Sequence, residues 1–297
     1  MNLQNIFSEI EKVDPEVYER MDTRRKTMQR FSFIGKTLAL AAVPSALGTM
    51  FKKAYGQTAS DVVDVLGFAY LLENLEAEFY KKVVSIAPAI GVPTGAPLSA
   101  LTVIRDHEVA HVNFLRTVLT SLGNTPATYS ANSFDFSGGK SLAGTGPFAA
   151  YTTNYGVMLA LAQTFEDTGV RAYKGQAPRL INNNDVLTAA LQIHSVEARH
   201  ASHIRQMRRN LATGSLVPAG VTLQPWITLA QSGIETGNAG ANAAIQMTYA
   251  GEELTTQATV NVVNIGGAAV SANEASEAFD EPLNKQQVTT IVNPFII

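Results

Sequence analysis

Glu73, Tyr80, Glu108 and His111 recur later in the chain, in the same order, as Glu166, Tyr173, Glu197 and His200. In each set the tyrosine follows the first glutamate by seven residues, and the closing pair has the form Glu-x-x-His. The chain's histidines, His107, His111, His194, His200 and His203, all fall in or beside those two closing segments. On an α-helix, residues three apart adjoin on one face, so Glu108 with His111 and Glu197 with His200 can each aim two ligands at one point. One such motif is weak evidence, because surface helices produce it by chance; its repetition behind a matching Glu-x6-Tyr carries the specificity. With Glu73 and Glu166 added, the pattern supplies four carboxylates and two imidazoles. Four carboxylates buried together need compensating charge, which two divalent cations provide. The chain has no cysteine, so a metal must take oxygen and nitrogen ligands, a set that suits iron and manganese.

Composition narrows the alternatives. With 297 residues, 46% of them hydrophobic and 16% charged, the chain can bury a sizeable core within one main domain. A formal net charge of −3 leaves no basic surface to hold phosphate backbones, so nucleic acid is not an expected partner. The lack of cysteine also excludes disulfides and thiol nucleophiles, and says nothing about compartment.

Residues 1–56 read as a twin-arginine export signal. Arg24-Arg25 precedes an apolar run from Phe31 to Met50, and Ala54-Tyr55-Gly56 places small residues at −3 and −1 of a cut before Gln57. Lys36 and Pro44 interrupt the run, which makes it a poor membrane span. The expected location is the periplasm or another exported compartment. An uncleaved N-terminus associated with the envelope is also compatible with the sequence, as is a homo-oligomer.

Four stretches beyond Gln57 have helical length and apolar periodicity: about 61–84, 98–122, 148–174 and 185–212. Gly123 and Gly175 are plausible stops, and Asp185 a plausible N-cap. Links at 87–97 and 176–184 suit antiparallel neighbours, whereas 123–147 is long enough to run the length of a bundle. The expected fold is therefore all-α: a ferritin-like four-helix bundle of two hairpins joined by a long crossover, over residues 57–212. From 213 to 297 the composition turns to Gly, Asn, Thr and Ala, which predicts an irregular extension packed on the bundle, with a short helix near 284–292 and a β-like run at 259–265. Trp226 reads as a packing anchor.

The segments LLENLEAEFY, IRDHEVAHVNFL, TFEDTGVRAY and HSVEARHASHIR resemble the four metal helices of the ferritin-like superfamily. With FDFSGG in the crossover and the ending EAFDEPLNKQQVTTIVNPFI, the chain from about 61 to 297 is similar to the bacterial and fungal desiccation-related ferritin-like group. The resemblance implies a centre of two iron or manganese ions. Carried over by position, Glu73 and Glu166 are its terminal carboxylates, Glu108 and Glu197 its bridging carboxylates, and His111 and His200 its imidazole ligands. Glu76, one turn beyond Glu73, is the alternative to it. Tyr80 and Tyr173 either assist the chemistry from beside a ligand or are core aromatics with satisfied hydroxyls. Asp106, His107, Asp167, His194 and His203 are expected in solvent or behind the ligands. The resemblance leaves the physiological reaction undefined; the expected one is with dioxygen or hydrogen peroxide, as a ferroxidase or in peroxide removal under stress. The alternative is a structural envelope protein whose metals only stabilise the bundle.

Overall fold

The computed structural model describes residues 59–211, 216–257 and 259–297; the export-signal expectation for residues 1–56 lies outside them. Helix α1 (Ala59–Ser85) is apolar on nearly all sides and packs against α2 (Ala96–Ser121). The link between them holds a one-turn helix, Ala87–Ile90, closed by Gly91 in the left-handed region at φ 79°. A second hairpin is formed by α3 (Tyr155–Gln176) and α4 (Asn184–Arg209), joined through a 3-10 turn at Ala177–Leu180. Residues 122–154 cross between the hairpins, as the loop lengths predict.

Two helix starts differ from expectation, and capping explains both. Helix α3 begins at Tyr155 rather than near 148, because Ala149–Thr152 closes into a 3-10 turn and the Asn154 side chain accepts from the Val157 amide at 3.1 Å. The cap of α4 is Asn183, which accepts from the Val186 amide at 3.2 Å, and not Asp185. Nor does Gly175 stop α3. It lies within the helix where another segment crosses: a Cβ there would stand 1.9 Å from the carbonyl oxygen of Leu283.

That crossing segment belongs to the C-terminal extension, which packs along α3. The extension comprises α5 (Ala239–Tyr249), a hairpin of two-residue strands β1 (Thr256–Gln257) and β2 (Val260–Asn261), α6 (Ala272–Glu277) and α7 (Lys285–Val292). Helix α7 matches the predicted short helix, whereas the β-like run yields only β2, and α5 was not expected. Trp226 is 46% exposed and so is no buried anchor. The anchor is Phe295 instead, whose ring meets Phe165 edge-on at 4.9 Å and Phe148 at 5.5 Å. The crossover is tied to this C-terminal end by the Asp135 amide, which donates to the Phe295 carbonyl at 2.9 Å. Burial alone would raise the Asp135 carboxyl. Hydrogen bonds from the Ser137 hydroxyl and the amides of Ser137, Gly139 and Ser141 hold it below the usual range instead, which fixes the FDFSGG turn.

A polar stripe completes the wrap. Gln163, Asp167 and Arg171 recur every fourth residue on α3, so they share one face. The Gln163 amide donates to the Tyr249 hydroxyl (2.9 Å), that hydroxyl donates to Asp167 (2.6 Å), and Asp167 also pairs with Arg205 of α4. Arg171 reaches the Glu281 carbonyl (2.7 Å), the Ala250 carbonyl (2.8 Å), the Thr248 carbonyl and the Glu252 carboxylate (2.6 Å). Every residue from Gly156 to Tyr173 is consequently buried. Among the described residues, no helix is long and apolar enough to cross a membrane.

Candidate metal centre

The bundle brings the repeated residues to one level. Glu73, Glu108, Glu166 and Glu197 are all fully buried, one from each helix, with His111 and His200 beside them on α2 and α4. They fall into two overlapping sets: Glu73, Glu108, His111 and Glu197, and Glu108, Glu166, Glu197 and His200. Within each set the ligand atoms lie within 4.8 Å of one another. Glu108 and Glu197 belong to both sets, so each can bridge.

The contacts follow an approximate two-fold. His111 Nδ1 lies 3.0 Å from Glu73, 3.3 Å from Glu108 and 3.1 Å from Glu197. His200 Nδ1 lies 3.3 Å from Glu166, 3.7 Å from Glu197 and 2.9 Å from Glu108. One imidazole nitrogen carries at most one proton and cannot donate to three carboxylates. His200 Nδ1, Glu108 Oε1, Glu166 Oε2 and both Glu197 oxygens are buried and form no aligned hydrogen bond. Close approach without hydrogen-bond alignment, in atoms that desolvation makes costly to leave unpaired, is the arrangement a cation between them satisfies. The donor set therefore fits two divalent ions.

The outer oxygens are held from the opposite hairpin. Tyr80 of α1 donates to Glu166 Oε1 of α3 at 2.5 Å, and Tyr173 of α3 donates to Glu73 Oε1 of α1 at 2.5 Å. Both tyrosines are thus buried aromatics whose hydroxyls orient a candidate ligand. Burial first, and then the neighbouring carboxylates, push both phenols well above their ordinary range.

Glu73 and Glu76 divide as follows. Glu73 is within reach of His111, whereas Glu76 lies one turn on, beside Gly169. A Cβ at Gly169 would stand 3.2 Å from Glu76 Oε1 and 3.8 Å from Glu197 Oε2, so the missing side chain makes room for a fifth buried carboxyl. The signal for that room in the sequence was a glycine in the middle of an apolar helix, where it weakens the helix unless packing demands it.

Of the outlying residues, His107 is the informative one. Its Nδ1 lies 2.9 Å from His200 Nε2, with the two rings nearly parallel at 5.2 Å. It thus backs the nitrogen of His200 that faces away from the carboxylates, as ligand-orienting partners do. Asp167 serves the extension network, His194 contacts the Val170 carbonyl, Asp106 pairs with Arg105, and His203 is exposed.

Burial and mutual interaction shift the titratable groups of the cluster. Burial and then Glu197 push Glu108 well up, and burial raises Glu166 to about 7. Burial would lower His200, but Glu166 and the hydrogen-bonding carboxylates raise it to about 12; His111 moves up for the same reasons. Glu197 alone goes down: burial opposes its charge, and the two imidazoles outweigh that.

The chain is thus an all-helical bundle with a buried carboxylate and imidazole cluster that could hold metal. The family model for the ferritin-like domain matches residues 61–210, half of the chain, and the chain belongs to that family. Comparison with curated proteins gives no match, and neither does comparison with solved structures.

Proposed function

We propose that this chain carries two iron or manganese ions, one in each of the overlapping ligand sets, and reacts with dioxygen or hydrogen peroxide. The observation that carries the reading is the sharing of Glu108 and Glu197 between the two sets. Glu73 and His111 would complete one position, and Glu166 and His200 the other. Two electrons from a divalent pair held there, with two protons, convert dioxygen to hydrogen peroxide, or hydrogen peroxide to two waters. The protein's own part is to keep the carboxylates out of water, to fix the terminal pair through Tyr80 and Tyr173, and to orient His200 through His107. Resemblance to the desiccation-related group supports a role in stress protection. Residues 24–57 support twin-arginine export. Protein recovered from the host starting at Gln57 is the expected result, and a full-length cytoplasmic chain would remove that part of the proposal.

The test is metal content per chain by mass spectrometry, followed by consumption of dioxygen and of peroxide by the ferrous-loaded protein. About two ions per chain with turnover of either oxidant supports the reading. The full burial of the four carboxylates favours a second one, in which the metals only staple the bundle. In that case chelation lowers the melting temperature while neither oxidant is consumed.

The pH dependence of stability gives an independent check. Glu108, Glu166, His111 and His200 all have folded pKa values above their unfolded ones. Their contribution to the metal-free protein is therefore present at low pH and lost as pH rises. Glu197 has the opposite sign but acts at lower pH, and His107, which burial and then His200 lower, also opposes the trend. Metal requires deprotonated ligands and reverses the sign. Melting temperatures should fall from about pH 5 to about pH 8 without metal and rise over the same interval with it. Parallel slopes would show that no ion engages this cluster.

A further inference from the structure

A cleft that the metal centre does not use opens where residues 221–233 meet α3 and α4, with the exposed indole of Trp226 at its rim. Leu223 and Ile227 are buried in its walls, Gln231 is exposed at its mouth, and Arg205 of α4 lines it from the bundle side. It holds about 330 Å³ of empty space, open to solvent, of which about 30 Å³ admits the centres of water-sized groups. One water takes roughly 10–15 Å³ by that measure, so about two such groups fit inside. The cleft can therefore enclose a head of two small atoms, while anything larger must lie along its open side.

Arg205 sets the chemistry of that head. The residue is only 6% exposed. Its Nη1 donates to the Pro225 carbonyl at 3.1 Å and its Nη2 to Asp167, but its Nε is enclosed with no hydrogen-bond partner among the described residues. Each terminal nitrogen also carries a second N–H. A buried guanidinium with donors left over calls for an acceptor. Charge makes that acceptor an anion. Arg208 donates to Gln163 and Gly233 of the lining, and Arg209 to Gln224 at 3.4 Å. Against these three cations, the carboxylates that meet the lining among the described residues are Asp167, which also accepts from Tyr249, and Glu277, which accepts from Thr228 at 2.6 Å. Positive charge is thus in excess around the cleft.

We propose that this cleft binds a small aromatic carboxylate, with the two carboxylate oxygens at the Arg205 guanidinium and the ring lying on the Trp226 indole. The paired oxygens match both the enclosed space and the planar fork of the arginine. The ring is too large to be enclosed and finds an exposed aromatic face beside apolar Leu223 and Ile227. The same head and ring occur on a free aromatic acid and on a peptide that ends in phenylalanine. The inference is independent of the oxidase reading, since no candidate metal ligand lines the cleft.

Trp226 is the chain's single tryptophan, so its fluorescence reports on this cleft alone. The full-length protein titrated with benzoate should show a saturable change with a midpoint at or below about 1 mM. Benzamide, which has the same shape without the charge, and acetate, which has the head without the ring, should each bind about tenfold more weakly or worse. Arg205→Lys keeps a cation opposite Asp167 but loses the fork, and should weaken benzoate about tenfold. Should that variant fail to fold, Trp226→Ala at the exposed rim, followed by calorimetry, should weaken benzoate about threefold or more. A short peptide ending in phenylalanine, with a free or an amidated C-terminus, separates the two sources. Tighter binding of the free-acid peptide than of benzoate places the head on a chain end, and the reverse places it on a free acid; either supports the carboxylate site. No saturable change with benzoate or the free-acid peptide up to about 10 mM means that the cleft holds water only and overturns the proposal. Equal affinity for benzoate and benzamide, or unchanged affinity in folded Arg205→Lys, overturns it as well.

Discussion

Glu197→Ala protein, expressed with iron and purified, is expected to carry fewer than ~0.2 metal ions per chain against about two for wild type, because both ligand positions lose a donor at once. Glu108→Ala should behave in the same way. Glu73→Ala removes a ligand from one position alone and should keep about one ion per chain. The contrast matters more than either loss. Glu108 and Glu197 fall in both ligand sets, whereas Glu73 and Glu166 fall in one each, so substitutions of equal chemistry at equal burial differ in effect only if two ions share the bridging pair. Mass spectrometry on the variants, with circular dichroism to show that each is folded, decides it. Equal losses from Glu73→Ala and Glu197→Ala would leave a single-ion site or none.

The largest expected loss of stability lies elsewhere, at Arg171. Its guanidinium is buried on α3 and engages three backbone carbonyls of the extension as well as the Glu252 carboxylate. Breaking one partner of a buried ion pair typically costs about 3–5 kcal/mol, because the other charge stays behind. Arg171→Ala should therefore lose stability on that scale in chemical denaturation, and Arg171→Lys should recover little of it, since an ammonium cannot reproduce the planar fork. The sign of the pH dependence follows from Glu252. Burial raises its carboxyl to about 7 even though Arg171 pulls it down. Its contribution is thus present at low pH and lost as pH rises towards 7. With Arg171 gone the carboxyl rises further, and the deficit of the variant should be greater at about pH 8 than at about pH 5. A deficit that does not change with pH would mean that Glu252 is not the group left stranded.

The bundle was legible because its signals are local. Helical periodicity in 61–84 and the three-residue spacing in each Glu-x-x-His act within one or two turns, and the loop lengths then leave few ways to connect four helices. The choice between Glu73 and Glu76 was not legible in this way. Both lie on the inward side of α1, and what separates them is the identity of the residues opposite: His111 and Tyr173 for one, Gly169 for the other. The start of α3 was misread because Phe148, Ala149, Ala150 and Tyr151 form an apolar run, while the cap that sets the boundary is the single side chain of Asn154. Helix α5 was missed because Gly240 and Asn242 dilute its alanines, and its buried Ala241, Ile245 and Tyr249 acquire a purpose only against α3. The polar stripe on α3 could have been read. Gln163, Asp167 and Arg171 at helical spacing in an otherwise apolar helix imply a second partner surface, and the extension supplies it.

The crossed tyrosines make the centre a seam between two halves of the chain. Each hairpin brings a carboxylate that the other hairpin's tyrosine orients, and a histidine that reaches the other's bridging glutamate. Neither half holds a complete ligand set alone. The interest then moves to where the halves disagree. Glu76 stands three residues after Glu73 where Gly169 stands three after Glu166, and His107 precedes Glu108 where Val196 precedes Glu197. At those two positions the symmetry is broken: an extra carboxyl fills space its counterpart vacates, and one imidazole gains a backing partner that the other lacks. The two ends of the cluster are therefore chemically distinguishable.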